Sequence, residues 1–428
     1  MQNSSKSFGL WSAIFLGIGS MVGAGIFVLL GEAGAIAGNL VWISFILGGL
    51  IALLSGYSLG KLSIAYPSRG GIIEYLVQCY GEGFFSGTIS ILFYLSALVA
   101  LSMVAKTFGT YATILTSHYS TFWVDIYTIG ILFLFMLINL SGSLFIAKSE
   151  NIIVIFKLSI LIIFTLIAFF YLNPNLLQLK DAPLSINIFY SIGLTFFAYE
   201  GFRVITNTVE DIDNPNKNML KAMIISILLV MILYIAVSFA VFGNLPLNKI
   251  INAKDYALAE AAKPAFGKSG FIIMSIAALV STASSINANL YAVTNVTYQM
   301  AKDGELPKIY ERNIWHSTQG LLISTIIIII LILFLDLTQI ATIGSITMLF
   351  IHAIVHLGHI FKIKETRASN FLVFLAIISI IIVIFLALNY SSKFNNNIGY
   401  YITSAFIIAF ILEVILRLTT KRVIKKQS

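Results

Sequence analysis

The sequence predicts an all-α protein that crosses a membrane many times, and three observations carry that expectation. Of its 428 residues, 59% are hydrophobic and 10% charged, against about a quarter charged in an ordinary soluble domain. The apolar residues gather in twelve long runs, each near the roughly 20 residues that a bilayer-spanning helix needs. Between the runs lie short stretches rich in Gly, Pro, Lys and Arg, with the chemistry of turns. So few charges cannot clothe a water-facing surface, which excludes a soluble enzyme. The mean hydropathy of +0.96 agrees.

In chain order the expected spans cover residues 10–35, 39–65, 84–112, 122–142, 149–172, 184–209, 218–243, 269–300, 319–336, 339–361, 369–389 and 397–418. The first is longer than the core of a secretory leader and lacks a clear small-residue cleavage site, so it is read as retained. Tyr66-Pro-Ser-Arg-Gly-Gly71 is a breaker cluster that parts the second span from the third. The single Cys79 excludes an internal disulfide framework and a multi-cysteine metal cluster.

The net charge of +8 reads as a topology signal rather than a nucleic-acid footprint. With twelve spans and the N-terminus inside, 17 Lys and Arg fall in cytoplasmic segments and 7 outside. That asymmetry predicts a multi-pass protein of the cell membrane with both termini in the cytoplasm. The terminal Lys421-Arg-Val-Ile-Lys-Lys426 is expected to meet anionic lipid headgroups. The two remaining cations, Lys157 and Arg203, fall inside apolar runs and need another explanation.

Two spans are interrupted. The first holds Gly17-Ile-Gly-Ser-Met-Val-Gly-Ala-Gly-Ile-Phe27, with four glycines in nine residues. Close packing through small residues is one reading, but the Gly23-Ala24-Gly25 triplet invites real unwinding. The sixth holds Thr195-Phe-Phe-Ala-Tyr-Glu-Gly-Phe-Arg-Val204, with a carboxylate and a guanidinium at membrane depth. Charge there usually faces a cavity or a partner, and Glu200 and Arg203, three residues apart, share a helix face and can pair. Interruptions at matching places predict two five-helix repeats, residues 10–172 and 184–361, inverted because five is odd. Helices 11 and 12, residues 369–418, lie outside the repeat, between a short cytoplasmic start (1–9) and the basic tail (419–428). Unwound backbone frees N–H groups that suit a carboxylate and carbonyls that suit an ammonium. A ligand with both groups close together is an amino acid.

At these residues the chain resembles a known family. Gly19-Ser-Met-Val-Gly-Ala-Gly-Ile-Phe27 resembles the first-helix signature of the amino acid–polyamine–organocation (APC) permeases. Phe196-Phe-Ala-Tyr-Glu-Gly-Phe202 with Glu210-Asp-Ile-Asp-Asn-Pro-Asn-Lys-Asn218 resembles their sixth helix and the loop after it. Tyr66-Pro-Ser-Arg-Gly-Gly71 and Ala301-Lys-Asp-Gly-Glu-Leu-Pro307 resemble two further loop signatures, and Asn207 and Gly243-Asn-Leu-Pro246 fit a proton-coupled member. The resemblance implies the twelve-helix sodium-symporter-type fold with a 5+5 inverted repeat and discontinuous helices 1 and 6. It implies that Met21, Val22, Gly23, Ala24 and Gly25 bind the carboxylate and amine of the substrate through their backbone. It further implies that Phe197, Ala198 and Glu200 supply amine-binding carbonyls and an aromatic lid. The carbonyls of Gly19 and Val22, with Ser281, Ser284 and Ser285, match the place where sodium-coupled relatives hold a sodium ion.

Lys157 lies about 10 Å along the fifth helix at 1.5 Å per residue. Snorkelling to the interface is the bland reading, against which its flanks are uninterruptedly apolar. In the proton-coupled member a matching lysine occupies the sodium position, so the resemblance implies that the Lys157 ammonium replaces the cation. It is expected to bond to the Gly19 carbonyl and the Ser284 or Ser285 hydroxyl and to give up a proton during transport. Glu200 either selects cationic side chains or pairs with Arg203. The matching residue in that member is apolar, so substrate range does not carry over.

His352, His356 and His359 fall at i, i+4 and i+7. Three imidazoles can bind zinc, but no carboxylate or cysteine accompanies them on that helix, and interhelical hydrogen bonds are expected instead. No phosphate loop or catalytic constellation appears, and the loops are too short for a nucleotide-binding domain. The sequence therefore predicts proton-coupled amino acid symport by alternating access without a cofactor. Amino acid exchange without net proton movement is the alternative, and a membrane-embedded sensor a more distant one.

Overall fold

The computed structural model describes residues 9–118, 120–141, 146–177, 185–302, 304–394 and 397–420. The expectations for residues 1–8, Lys180, Asp303 and the tail from Lys421 lie outside the described residues, as do the side chains of Ala24 and Lys148.

The chain is helical almost throughout. The first predicted span is three pieces, α1 (Leu10–Met21), α2 (Ala24–Phe27) and α3 (Leu29–Ala37), followed by α4 (Val41–Ala65) and α5 (Ile72–Tyr80). α6 (Phe84–Thr116), α7 (Thr121–Ser141) and α8 (Ile146–Phe170) complete the first half. The sixth predicted span comprises α9 (Ser185–Tyr190), α10 (Ile192–Tyr199) and a 3₁₀ coil over Glu200–Thr208. Then come α11 (Pro215–Phe242), the short α12 (Leu247–Asn252) and α13 (Ala257–Ala261), and α14 (Lys263–Lys302), kinked at Gly267. A small hairpin of β1 (Asn313–Ile314) and β2 (Ser317–Thr318) precedes α15 (Gln319–Phe334), α16 (Leu337–Thr366), α17 (Asn370–Phe394) and α18 (Asn397–Thr420).

Among the described residues, eleven stretches are long and apolar enough to cross a membrane. The predicted ninth span is shorter than expected. α15 has 16 residues, about 24 Å of helix against a hydrocarbon core of about 30 Å. Its far end is set by Asp336, which accepts from the Gln339 N–H at 2.8 Å and opens α16 in a reciprocal capping box. Lys106 of α6 donates to the Ile332 and Leu335 carbonyls at 2.9 and 2.6 Å, closing the last turn of α15 with a positive charge.

The centre is formed by α1, α4, α6, α10, α11, α14 and α16, whose side chains belong to one buried apolar cluster. α7, α8, α17 and α18 line the outside with large exposed apolar residues such as Phe133, Leu166, Phe385 and Ile411. That arrangement inverts the water-soluble pattern and presents apolar surface to lipid. The protein is a multi-pass membrane protein.

Candidate functional site

The site begins where α1 stops. Val22 leaves the helix with φ −82° and ψ 65°, and the Gly23 N–H turns back to the Met21 carbonyl at 2.9 Å. The interruption strands carbonyl oxygens that α1 no longer uses, and side chains from other helices meet them. Lys157 Nζ of α8 donates to the Gly19 oxygen at 2.7 Å. The Tyr234 hydroxyl of α11 donates to the Met21 oxygen at 2.7 Å. The Ser281 hydroxyl of α14 donates to the Val22 oxygen at 3.0 Å. Beyond the break, the Tyr111 hydroxyl donates to the Phe27 oxygen at 3.1 Å. The unwound turn is thus held from three helices, and the segment beyond it from a fourth, in the protein interior, as membrane depth requires.

Lys157 is 1% exposed. Snorkelling is therefore excluded, since the ammonium points inward to the broken edge. Of the predicted serines, Ser285 is buried and its hydroxyl accepts from Asn289 Nδ2 at 3.1 Å, while Ser284 is half-buried. Ser281, one turn earlier, is the hydroxyl that reaches α1.

The second interruption differs from the uncoiling expected. The regular α-helix ends at Tyr199, and the chain continues as a 3₁₀ coil from Glu200. A 3₁₀ turn keeps its carbonyls bonded, now at i+3, while rotating the side chains relative to α10. The helix therefore changes pitch rather than opening.

The two altered segments touch backbone to backbone. A Cβ on Gly201 would lie 2.5 Å from the Met21 nitrogen, and one on Gly25 would lie 2.7 Å from the Ala198 oxygen. Only glycine permits this approach. Tyr234 binds the pair, because its hydroxyl also stands 3.3 Å from the Ala198 oxygen. Sequence reading missed Tyr234, although a lone phenol in an apolar run was a signal that it has a polar partner.

Between these segments lies a cavity lined by Met21, Gly25, Phe197, Ala198, Glu200 and Ser285 of the predicted set, and by Met103, Arg203 and Asn289 besides. Val22 and Gly23 sit behind this lining, against α14, where a Cβ on Gly23 would lie 3.0 Å from the Ser285 hydroxyl. Gly344 of α16 faces the Phe197 ring.

Glu200, 6% exposed, has two charged or titratable neighbours. Arg203 Nε lies 2.9 Å from its Oε1, an ionic approach in which that N–H makes no hydrogen bond among the described residues. His352 Nε2 of α16 lies 3.0 Å from its Oε2. The predicted pair is present, and the histidine is an addition. All three histidines of α16 are fully buried and bond to Ser55 and Ser58 of α4, the interhelical bonding expected of them.

Toward α3, a separate cavity is lined by Glu32 and Lys254, whose Oε1 and Nζ are 3.2 Å apart. Thr338 of α16 donates to the same oxygen at 2.8 Å. At the opposite end, Arg69 of the breaker loop pairs with Glu210 and Asp211 at 3.3 and 2.9 Å, joining two of the motifs singled out in sequence.

Comparison with known proteins gives a consistent result. The amino acid permease family matches residues 8–416. An uncharacterized protein of Methanocaldococcus jannaschii is 36% identical over 99% of this chain and 98% of its own. An inner membrane transport protein of Escherichia coli is 34% identical over 86% of each chain. A serine/threonine exchanger of Bacillus subtilis is 27% identical over 71% of this chain and 69% of its own.

Proposed function

The chain belongs to the amino acid permease family, a family of transporters rather than enzymes, and from that premise we propose that it carries amino acids across the cell membrane with protons by alternating access. The observation that carries the coupling is the buried Lys157 ammonium on the Gly19 carbonyl. A cation bound there ties α8 to α1, and loss of its proton removes the charge that holds the bond. The backbone of the Met21–Gly25 stretch takes the carboxylate and amine of the substrate where Met21 and Gly25 line the cavity, with Val22 and Gly23 supporting the turn from behind; the carbonyl of Ala198 contributes to the amine, and Phe197 covers it. Glu200 is matched by Arg203, so the pocket offers no net charge to the side chain, which favours neutral amino acids. Twelve helices in a 5+5 inverted repeat, with both termini in the cytoplasm, complete the proposal. Lipid headgroups meet the basic tail.

Exchange without net proton movement is the second reading, favoured by the similarity to a serine/threonine exchanger. Uptake of a panel of labelled amino acids into proteoliposomes, under separate pH and sodium gradients, tests both. Accumulation driven by inward-directed protons and abolished by a protonophore supports symport. Counterflow unaffected by the protonophore, with no accumulation on any gradient, replaces symport with exchange.

A further inference from the structure

α16 and α4 pack face to face, and their polar residues interleave. His352, His356 and His359 sit one turn apart on α16, and Ser55 and Ser58 sit one turn apart on α4; all five are fully buried. Ser55 Oγ lies 2.8 Å from both His352 Nδ1 and His356 Nε2. Ser58 Oγ lies 2.8 Å from both His356 Nδ1 and His359 Nδ1. One end of the row continues to Glu200 through His352 Nε2 at 3.0 Å. The other continues to the Thr366 hydroxyl through His359 Nε2 at 2.8 Å.

Six bonds thus join the pocket carboxylate to the last turn of α16, about 21 Å of helix from His352 at 1.5 Å per residue. The row has a consistent polarity. When Glu200 is ionised, His352 Nε2–H donates to it, which leaves Nδ1 to accept from Ser55. Ser55 then accepts from His356 Nε2–H, and His356 Nδ1 accepts from Ser58. Ser58 accepts from His359 Nδ1–H, and His359 Nε2 accepts from Thr366. Each bond holds one proton and every ring is neutral. A packing seam would be satisfied by the same bonds; what it does not require is that they run unbroken from a pocket carboxylate to the last turn of α16.

We propose that this row is a proton wire through which cytoplasmic pH sets the charge of Glu200. The proposal rests on the reading of the neighbouring cavity as a transport site. In the transfer, each of the six protons crosses its bond toward Glu200, and Thr366 takes one proton from water at the Lys362–Arg367 end, the proposed cytoplasmic side. Glu200 gains a proton and becomes neutral, and the rings and hydroxyls end neutral with their donors reversed. The reversed state leaves the Thr366 hydroxyl donating to the Lys362 carbonyl, which already stands 3.0 Å away. Neutral Glu200 no longer balances Arg203, so the pocket gains a positive charge as the cytoplasm acidifies.

Among the described residues, the following groups face the row. Arg203 and the rings of Phe196 and Phe202 stand at the Glu200 end. Lys61 of α4 acts on His359. Lys362 pairs with Glu365 at 2.9 Å beside Tyr66 at the exit.

The test uses the full chain in proteoliposomes. Protonation of Glu200 after an acid jump is followed through its carboxyl stretch in time-resolved infrared spectra, assigned by its loss in Glu200→Gln. Ser58→Ala breaks the wire without removing a charge, and is expected to slow the rise about tenfold or more at unchanged final amplitude. Ser58→Thr restores a hydroxyl and is expected to recover the rate. Equal rates in Ser58→Ala and the unmutated protein overturn the wire, as does absence of any band lost in Glu200→Gln. Loss of amplitude in Ser58→Ala that Ser58→Thr does not restore makes the row a packing seam and also overturns it. Acid-driven uptake in the same vesicles reports separately on the transport reading. Its absence from the unmutated protein sinks that reading and leaves the infrared result standing.

Discussion

Lys157 Nζ and the carbonyl oxygen of Gly19 are 2.7 Å apart, and this bond joins α8 to the free edge of α1 in the protein interior. A buried hydrogen bond to a charged group contributes about 1.5–3 kcal/mol, and its removal leaves the Gly19 oxygen stranded at membrane depth. Lys157→Ala is expected to abolish pH-driven uptake. Proteoliposome uptake on an inward proton gradient is the measurement. Undiminished accumulation in Lys157→Ala removes Lys157 from the coupling.

The contact of the two altered segments predicts which glycines are irreplaceable. Gly201→Ala places a methyl 2.5 Å from backbone atoms of Ser20 and Met21, and backbone cannot rotate aside as a side chain does. Overpacking of this kind costs about 1–3 kcal/mol. Gly399→Ala meets nothing within 4 Å and lies within α18, so better helix propensity is expected to stabilise it by up to about 1 kcal/mol. Thermal unfolding in detergent, with Gly201→Ala falling below and Gly399→Ala at or above the unmutated protein, checks the pair. Equal midpoints for both would show that the segments part easily.

How much of this site the sequence disclosed follows from what local pattern can encode. The Gly23-Ala24-Gly25 triplet announced the break, because consecutive small residues weaken a helix wherever it packs. Lys157 announced itself as a charge among apolar neighbours. Which hydroxyl of Ser281-Thr-Ala-Ser-Ser285 faces α1 depends on the rotation of α14, at about 100° per residue, and that is fixed by packing; of the three serines that the resemblance set beside the Gly19 and Val22 carbonyls, Ser281 is the one whose hydroxyl bonds to Val22. The histidine spacing was legible, whereas its partners on α4 required knowing that residue 55 lies level with residue 352. The glycine and charges after Tyr199 marked a change in the sixth span, but a 3₁₀ coil and an uncoiled turn leave the same trace in sequence.

Tyr234 carries a prediction that no motif suggested. Its hydroxyl meets the carbonyls of Met21 and Ala198, one in each altered segment, so it acts as a positioning residue for the backbone of the site. Tyr234→Phe keeps the ring contacts with Phe45 and Tyr199 and loses only the donor, leaving a buried acceptor unsatisfied at about 1–3 kcal/mol. The expected outcome is a raised Km for uptake with the protein still folded, read from initial rates across substrate concentration. An unchanged Km would mean that the two carbonyls find their position without the phenol.

Glu32 of α3, Lys254 of the segment after α12 and Thr338 of α16 meet at one end of the molecule, and an ion pair that ties three elements, with its carboxylate buried, is expected to act as a latch. Breaking one partner of such a pair is more disruptive than removing both, so Lys254→Met and Glu32→Gln are each expected to open the cavity behind them more than the double variant does. A cysteine at Thr342, which lines that cavity, reports the opening through its rate of maleimide labelling. The native Cys79 does not confuse the reading: burial pushes its thiol up to about 12, above the ordinary value of about 8.5, so at neutral pH its reactive thiolate is scarcer by about a hundredfold or more. Labelling of Thr342→Cys several-fold faster in Lys254→Met than in the otherwise unmutated chain is the expected result. Equal rates would show that the ion pair decorates the cavity without holding it shut.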